Sequence, residues 1–194
     1  MTRIVALLPM REHSERVPNK NIRPLHGKPL YHHILGTLMA CRHVAEIYID
    51  TDSEFIMADA PKHFDRVRVI ERPAHLRSGL TAMNEVLLHD VAQVDADYYL
   101  QTHSTNPLLT LDTITRAIEA FLNSEEHDSL FAVTPLYTRL WDAQGKGINH
   151  DPDVLLRTQD LPPVYEENSN MYLFSRSTLE KRRNRIGARP LLFE

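Results

Sequence analysis

The chain has 194 residues, with 22 Lys+Arg against 26 Asp+Glu and a formal net charge of -4, so it lacks the basic excess of a duplex-binding protein. At 42% hydrophobic and 25% charged residues it can bury a sizeable core, which excludes a disordered segment. One cysteine, Cys41, excludes an intrachain disulfide and a cysteine-based zinc cluster, and points to a reducing compartment, the cytoplasm. The early apolar run Ile4 to Leu8 is too short for a signal-peptide core or a membrane span, so neither export nor a membrane partner is expected. Eleven histidines are present without an H-E-x-x-H or similar spacing, and they read as surface and packing residues, not metal ligands.

Short β-like runs alternate with helix-like stretches, the pattern of a doubly wound, three-layer α/β sandwich with a mainly parallel sheet. Ile4 to Pro9 reads as the first strand, followed by a helix whose positions Leu30, Ile34, Leu38 and Cys41 share one face. Glu46 to Asp50 is a second strand, Ser53 to Ala60 a short helix and Val67 to Ile70 a third strand. Met83, Val86, Leu87, Val91 and Val94 form the next apolar helix stripe, and Tyr98 to Gln101 the fourth strand. Asp112 is the expected N-cap of a helix that buries Ile114, Ala117, Ile118 and Phe121. Leu130 to Thr134 is strand-like. Residues 135 to 163 are polar and contain Pro and Gly, long enough for a lid or an arm toward a partner within a single 1–194 domain. Met171 to Phe174, Ser175 to Arg182 and Pro190 to Phe193 then read as strand, helix and strand.

Ligands of such sheets bind beyond the carboxyl ends of the strands, which directs attention to the loop after the first strand, Arg11 to Asn21. Arg11, Arg16 and Lys20 can neutralise phosphate, Ser14 and Asn21 can hydrogen-bond phosphate or a base, and Pro18 stiffens the loop. The loop is not G-x-x-x-x-G-K-[ST] and has no glycine before Gly27, so neither a P-loop nor a dinucleotide fold is supported. Without glycine, a positive-φ turn falls most cheaply on Asn19, with His13 next. On composition alone the same residues also describe a solvated basic surface loop.

Further motifs follow in a fixed order. The stretch L-L-P-M-R-E-H-S-E-R-V-P-N-K-N leads to H-G-K-P-L at His26 to Leu30; then come D-T-D at Asp50 to Asp52, E-R-P-A-H-L containing Arg72, L-Q-T-H-S-T-N-P-L-L containing Gln101, R-T-Q-D-L-P at Arg157 to Pro162, and Asn168 to Tyr172. In this order the sequence resembles the acylneuraminate cytidylyltransferases, the CMP-sialic acid synthetase family, over nearly its whole length. The resemblance implies a nucleotide-diphospho-sugar transferase-like fold and a reaction in which the anomeric hydroxyl of a 2-keto sugar acid attacks the α-phosphate of CTP. Fixed cations would then stabilise the charge on the departing pyrophosphate, together with Mg2+. Arg11 and Lys20 are the implied catalytic cations. Ser14, Asn21, Arg72 and Asn84 would hold the nucleotide, and Gln101, Arg157, Asn168 and Tyr172 the sugar acid. A homodimer is implied, exchanging residues 135 to 165 with Leu140, Trp141 and Leu155 as apolar anchors.

The pattern departs from the family at three places. Glu15 replaces the lysine after the loop serine and sets an acid beside the triphosphate; Ser169-Asn170 replaces Gly-Ala; and the aspartate pair that binds magnesium in the family is expected beyond residue 194. Two other readings follow from these features: a non-catalytic nucleotide- or sugar-binding module, and an enzyme like CMP-Kdo synthetase, whose R-x-x-S-x-R-x-P-x-K loop this chain also satisfies. Asp50-Thr51-Asp52 could also be a metal-holding D-x-D, against the plainer reading in which Asp50 ends a strand and Asp52 caps the next helix.

Overall fold

The computed structural model describes residues 2–194. Seven strands form one sheet: β1 (Ile4–Leu7), β4 (Val44–Thr51), β5 (Val67–Glu71), β6 (Tyr98–Thr102), β7 (Ser129–Leu136), β8 (Val164–Phe174) and β9 (Pro190–Phe193), in the order β5-β4-β1-β6-β8-β7-β9. β8 alone runs antiparallel to its neighbours β6 and β7, and every other pairing is parallel. A two-stranded ribbon, β2 (Pro24–Leu25) with β3 (Lys28–Pro29), was not expected from the pattern because each strand is only two residues long. It turns through His26 and Gly27, both at positive φ, the combination a two-residue type I′ hairpin loop requires.

The helices are α1 (Leu30–Ala40), α2 (Glu54–His63), α3 (Met83–Gln93), α4 (Leu111–Leu122) and α5 (Arg176–Arg182). Alternation along β1 divides the core. Ile4, Ala6 and Leu8 face one cluster with residues of α1, α2 and α4, whereas Val5 and Leu7 face a second with residues of α3 and α5. The result is the three-layer, mainly parallel sandwich expected from the sequence. β1 is an interior strand between β4 and β6 and is buried along its whole length, which is why it reads as a continuous apolar run.

Several boundaries differ from the sequence-based expectation. β1 ends at Leu7, not Pro9, although Met10 still bridges to Thr51. The cap of α4 is Thr110, whose side chain accepts from Thr113 N; Asp112 lies in the first turn and pairs with Arg116 instead. β7 and β8 extend outward as a ribbon, so the excursion is shorter than expected, spanning 137–163 between them. The outer half of β8 carries Glu166, Glu167 and Asn168, and that polarity hides a strand held there by pairing with β7 on one side only. No helix among the described residues is long and apolar enough to cross a membrane.

Candidate active site

The carboxyl ends of β1, β5 and β6 meet at a cleft of about 150 Å3 lined by Arg11, Ser14, Lys20, Asn21 and Arg72, with His103 and Ser104 from the loop after β6. The first loop is locked along one side: Met10 N donates to Asp50 O at 2.8 Å and Glu12 N to Asp52 Oδ1 at 2.7 Å. Asp52 is thus a latch on the loop and does not cap α2, whose N-cap is Ser53. Asn19 adopts φ 54°, as its chemistry allows, and turns the chain into a single 3-10 turn at Lys20–Ile22. Asn21 is buried there. Its Nδ2 donates to Arg11 O at 2.8 Å and its Oδ1 accepts from Ser104 Oγ at 2.6 Å, so it ties the first loop to the loop after β6 as well as lining the cleft.

Lys20, Arg11 and Arg16 stand close enough that burial first, and then the two guanidinium charges, lower the Lys20 pKa. Like cations gathered this way repel one another and favour a bound anion; the residues lining the cleft include no carboxylate, and the acid nearby is Glu15, at its edge beside Arg11. Glu15 and Arg11 share the space above Gly79, where a β-carbon would meet both side-chain ends. Arg72 forms the buried floor: its Nε donates to Asp50 Oδ1 and its Nη2 reaches Asp50 O at 3.3 Å. Asp50 is therefore committed to an arginine and Asp52 to a backbone amide, which leaves the D-x-D spacing without a shared metal position.

Behind Asp50 lies Asp90, fully buried, and neither its oxygens nor Asp50 Oδ2 has a hydrogen-bond partner among the other described residues. Burial, followed by the Asp50 charge, raises the Asp90 pKa far above the carboxylate range. A proton on Asp90 directed at Asp50 satisfies one oxygen of each carboxylate, and His89 Nδ1 stands near both, 3.6 Å from Asp90 Oδ1 and 3.9 Å from Asp50 Oδ2. The pattern of β4 and α3 gave no sign of this pair, because a lone Asp on an apolar helix stripe looks like a surface residue until the sheet covers it.

The residues assigned to the sugar end divide. Gln101 and Tyr172 are both buried on adjacent strands and come together through Arg185, a residue that no motif marked. Arg185 Nη1 donates to Gln101 Oε1 at 2.7 Å, and its Cζ lies 3.5 Å from the centroid of the Tyr172 ring. Gln101 Nε2 lies 3.2 Å from His103 Nε2, which joins this group to the cleft. Burial, then Arg185 and Lys20, push the His103 pKa down to about 4, so the imidazole is neutral at physiological pH. Asn84 Oδ1 accepts from Arg185 N at 3.3 Å, beside the cleft residue Met83. Asn168 is farther out on β8, bonded to Thr134. Arg157 is not brought to the cleft: its side chain is 73% exposed and forms a two-point pair with Asp160 on the excursion. Ser169 adopts φ 57° within an irregular stretch of β8, where the family motif has glycine.

A three-layer α/β fold with a cationic cleft at the carboxyl edge of its parallel strands defines a nucleotide-binding protein of the nucleotidyltransferase type. A family model described as Cytidylyltransferase matches residues 5–189, and the chain belongs to this family of CTP-dependent nucleotidyltransferases. It is 26% identical to the post-translational flagellin modification protein B of Campylobacter coli, over 100% of this chain and 86% of that protein. It is 28% identical to the CMP-N,N'-diacetyllegionaminic acid synthase of Legionella pneumophila, over 88% of this chain and 77% of that one. In fold it is similar to the structure of a CMP:2-keto-3-deoxy-manno-octonic acid synthetase complexed with CTP, with a TM-score of 0.71 at 14% identity, covering 94% of this chain and 78% of that one.

Proposed function

We propose that the chain transfers CMP from CTP to the anomeric hydroxyl of a sialic acid-like 2-keto sugar acid and releases pyrophosphate. The observation that carries this reading is the convergence of Arg11 and Lys20, with Arg16 beside them, on a cleft whose lining residues include no carboxylate. In this reading Arg11 and Lys20 bind the phosphates and stabilise the negative charge that grows on pyrophosphate as the bond to the α-phosphorus breaks. Ser14, Asn21, Arg72 and Asn84 position the nucleotide, and Gln101 and Tyr172 line the sugar end, with Asn168 at its margin. His103, neutral with a pKa near 4, is too weak a base for this reaction at neutral pH and acts as an uncharged hydrogen-bonding wall. A divalent cation such as Mg2+ belongs to the same reading, bound to the phosphates. The cleft lining offers it no carboxylate, so the steps described are those of the chain's own residues.

The arm between β7 and β8 exposes Tyr137, Trp141, Ile148 and Leu155, with Leu155 88% exposed, which supports its use as a homodimer contact. Cys41, buried and thiol-bearing, supports a reducing compartment, the cytoplasm. The absence of a carboxylate from the cleft lining also favours a second reading, a module that binds nucleotide without turnover. Pyrophosphate release with CTP, Mg2+ and a panel of N-acetylneuraminate, legionaminate, pseudaminate and Kdo separates the two. Release with one of these acids, and with CTP in preference to other nucleotides, is expected. CTP binding with silence across the panel would support the module, and absence of CTP binding would remove both readings.

A further inference from the structure

A second cluster of chemistry-bearing side chains lies away from the cleft, between α1 and α2. His32 is in the first turn of α1, and Asp59 and His63 stand four residues apart on α2. His32 Nε2 is 2.8 Å from Asp59 Oδ2, and His63 Nδ1 is 3.3 Å from Asp59 Oδ1; one ligand atom from each of the three residues lies within 4.8 Å of the other two. Nitrogen and oxygen ligands held at about 2.0–2.1 Å by a tetrahedral zinc ion stand about 3.3 Å apart, so a small side-chain adjustment closes this triangle on a metal. None of the three residues lines the nucleotide cleft, and the reaction proposed above uses none of them. No spacing within one helix marks the group, because its third member comes from the other helix.

The surroundings orient these groups and leave them reachable. The Tyr31 hydroxyl donates to Asp59 Oδ2, and the His32 ring meets Tyr31 and Phe64 edge-on at centroid distances of 4.5 and 5.0 Å, so both ligands are held by partners outside the triangle, as metal ligands commonly are. The side chains of His32 and Asp59 are largely buried, whereas that of His63 is 54% exposed. Tyr31 and His32 already serve Asp59 Oδ2, and the exposed His63 has water available, yet its Nδ1 is turned to Asp59, toward both the carboxylate and the backbone oxygen at 3.0 Å. A surface cavity of about 450 Å3, lined by His32 and His63 together with Lys28 and Phe64, opens onto both imidazoles. It supplies an entry path and room for water in the fourth coordination position. Two imidazoles and one carboxylate suit zinc or a similar first-row divalent ion, whereas Mg2+ prefers oxygen ligands alone.

We infer that His32, Asp59 and His63 form a binding site for a zinc-class divalent cation that ties α1 to α2. This site is separate from the nucleotide cleft, and the inference stands or falls independently of the cytidylyl-transfer reading. The test titrates ZnCl2 into the full, tag-free and metal-stripped chain by calorimetry, without nucleotide so that no phosphate holds the ion, and follows folding by thermal melting. The wild type should take up one Zn2+ per chain, and Zn2+ at a hundred-fold excess over its Kd should raise the melting temperature by about 5 °C or more; Mg2+ should do neither. His63→Ala, at an exposed position, and Asp59→Asn should each weaken Zn2+ binding at least ten-fold and remove the melting shift. His89→Gln, which alters the other group of close His and Asp side chains, around Asp50 and Asp90, should leave both unchanged. Wild-type binding that is weak and spread over several sites, a His63→Ala chain that binds like the wild type, or a loss caused by His89→Gln instead would each overturn the inference. Should the variants not fold, the imidazole resonances of the wild type carry the test during Zn2+ addition. Changes confined to His32 and His63 support the site, and changes centred on other histidines overturn it.

Discussion

Single residues in this site do two jobs, and Arg72 shows why that matters for reading variants. It lines the cleft, yet its guanidinium is spent on Asp50 in a buried pair, so replacing it by alanine would leave an uncompensated buried carboxylate and cost about 3–5 kcal/mol of stability in addition to any loss of nucleotide binding. Asp90 extends the same chain of contacts. Its native pKa is raised above the ordinary value of 3.8, so in the folded protein it keeps a proton that the unfolded chain has already released. Stability therefore falls as pH rises from about 4 through neutrality, because the native state is then the one that binds more protons. Asp90→Asn keeps a neutral donor facing Asp50 and should remove this slope. Melting temperatures measured from pH 5 to 8.5 should show the variant gaining on the wild type as pH rises; parallel curves would place no proton on Asp90.

At the scale of elements, the glycine-free first loop works because Asn19 takes the left-handed turn that a glycine would otherwise take. Asn19→Gly should leave stability within a few tenths of a kcal/mol, whereas Asn19→Ala should cost about 1 kcal/mol and weaken CTP binding, since Lys20 and Asn21 follow directly. Chemical denaturation and calorimetric CTP titration of the two variants test this, and equal behaviour of Ala and Gly would show that the turn is not strained. β8 shows the opposite case. Its inner half, Met171 to Phe174, is fully buried and legible as a core strand, while its outer half is polar and is a strand only because β7 supplies its hydrogen bonds. Between them Ser169 holds a left-handed conformation, and Thr102 Oγ1 donates to Asn170 O at 2.7 Å, which ties β8 to β6.

For the whole molecule, the apolar side chains on the arm stand exposed, Leu155 most of all, which is the basis for expecting a dimer. Leu155→Glu should convert a dimer to a monomer in sedimentation or light-scattering measurements while leaving the melting temperature of the fold nearly unchanged, because the residue is 88% exposed. A wild-type chain that is monomeric at high concentration would remove the expectation.

The layer architecture is legible without coordinates, because the apolar periods of strands and helices record which faces each element buries, and β1 with α1, α3 and α4 need no partner to show them. The cationic loop is legible in the same way: Arg11, Ser14, Lys20 and Asn21 are close in sequence, and local chemistry sufficed to mark them. What depended on tertiary structure was everything made by residues distant in the chain. The pairing of Arg72 with Asp50, the buried Asp90 behind them and the placing of Arg185 between Gln101 and Tyr172 each join different elements across the sheet. Charged and polar side chains carry no period of their own, so their burial, and with it their chemistry, exists only once the sheet has brought their neighbours together.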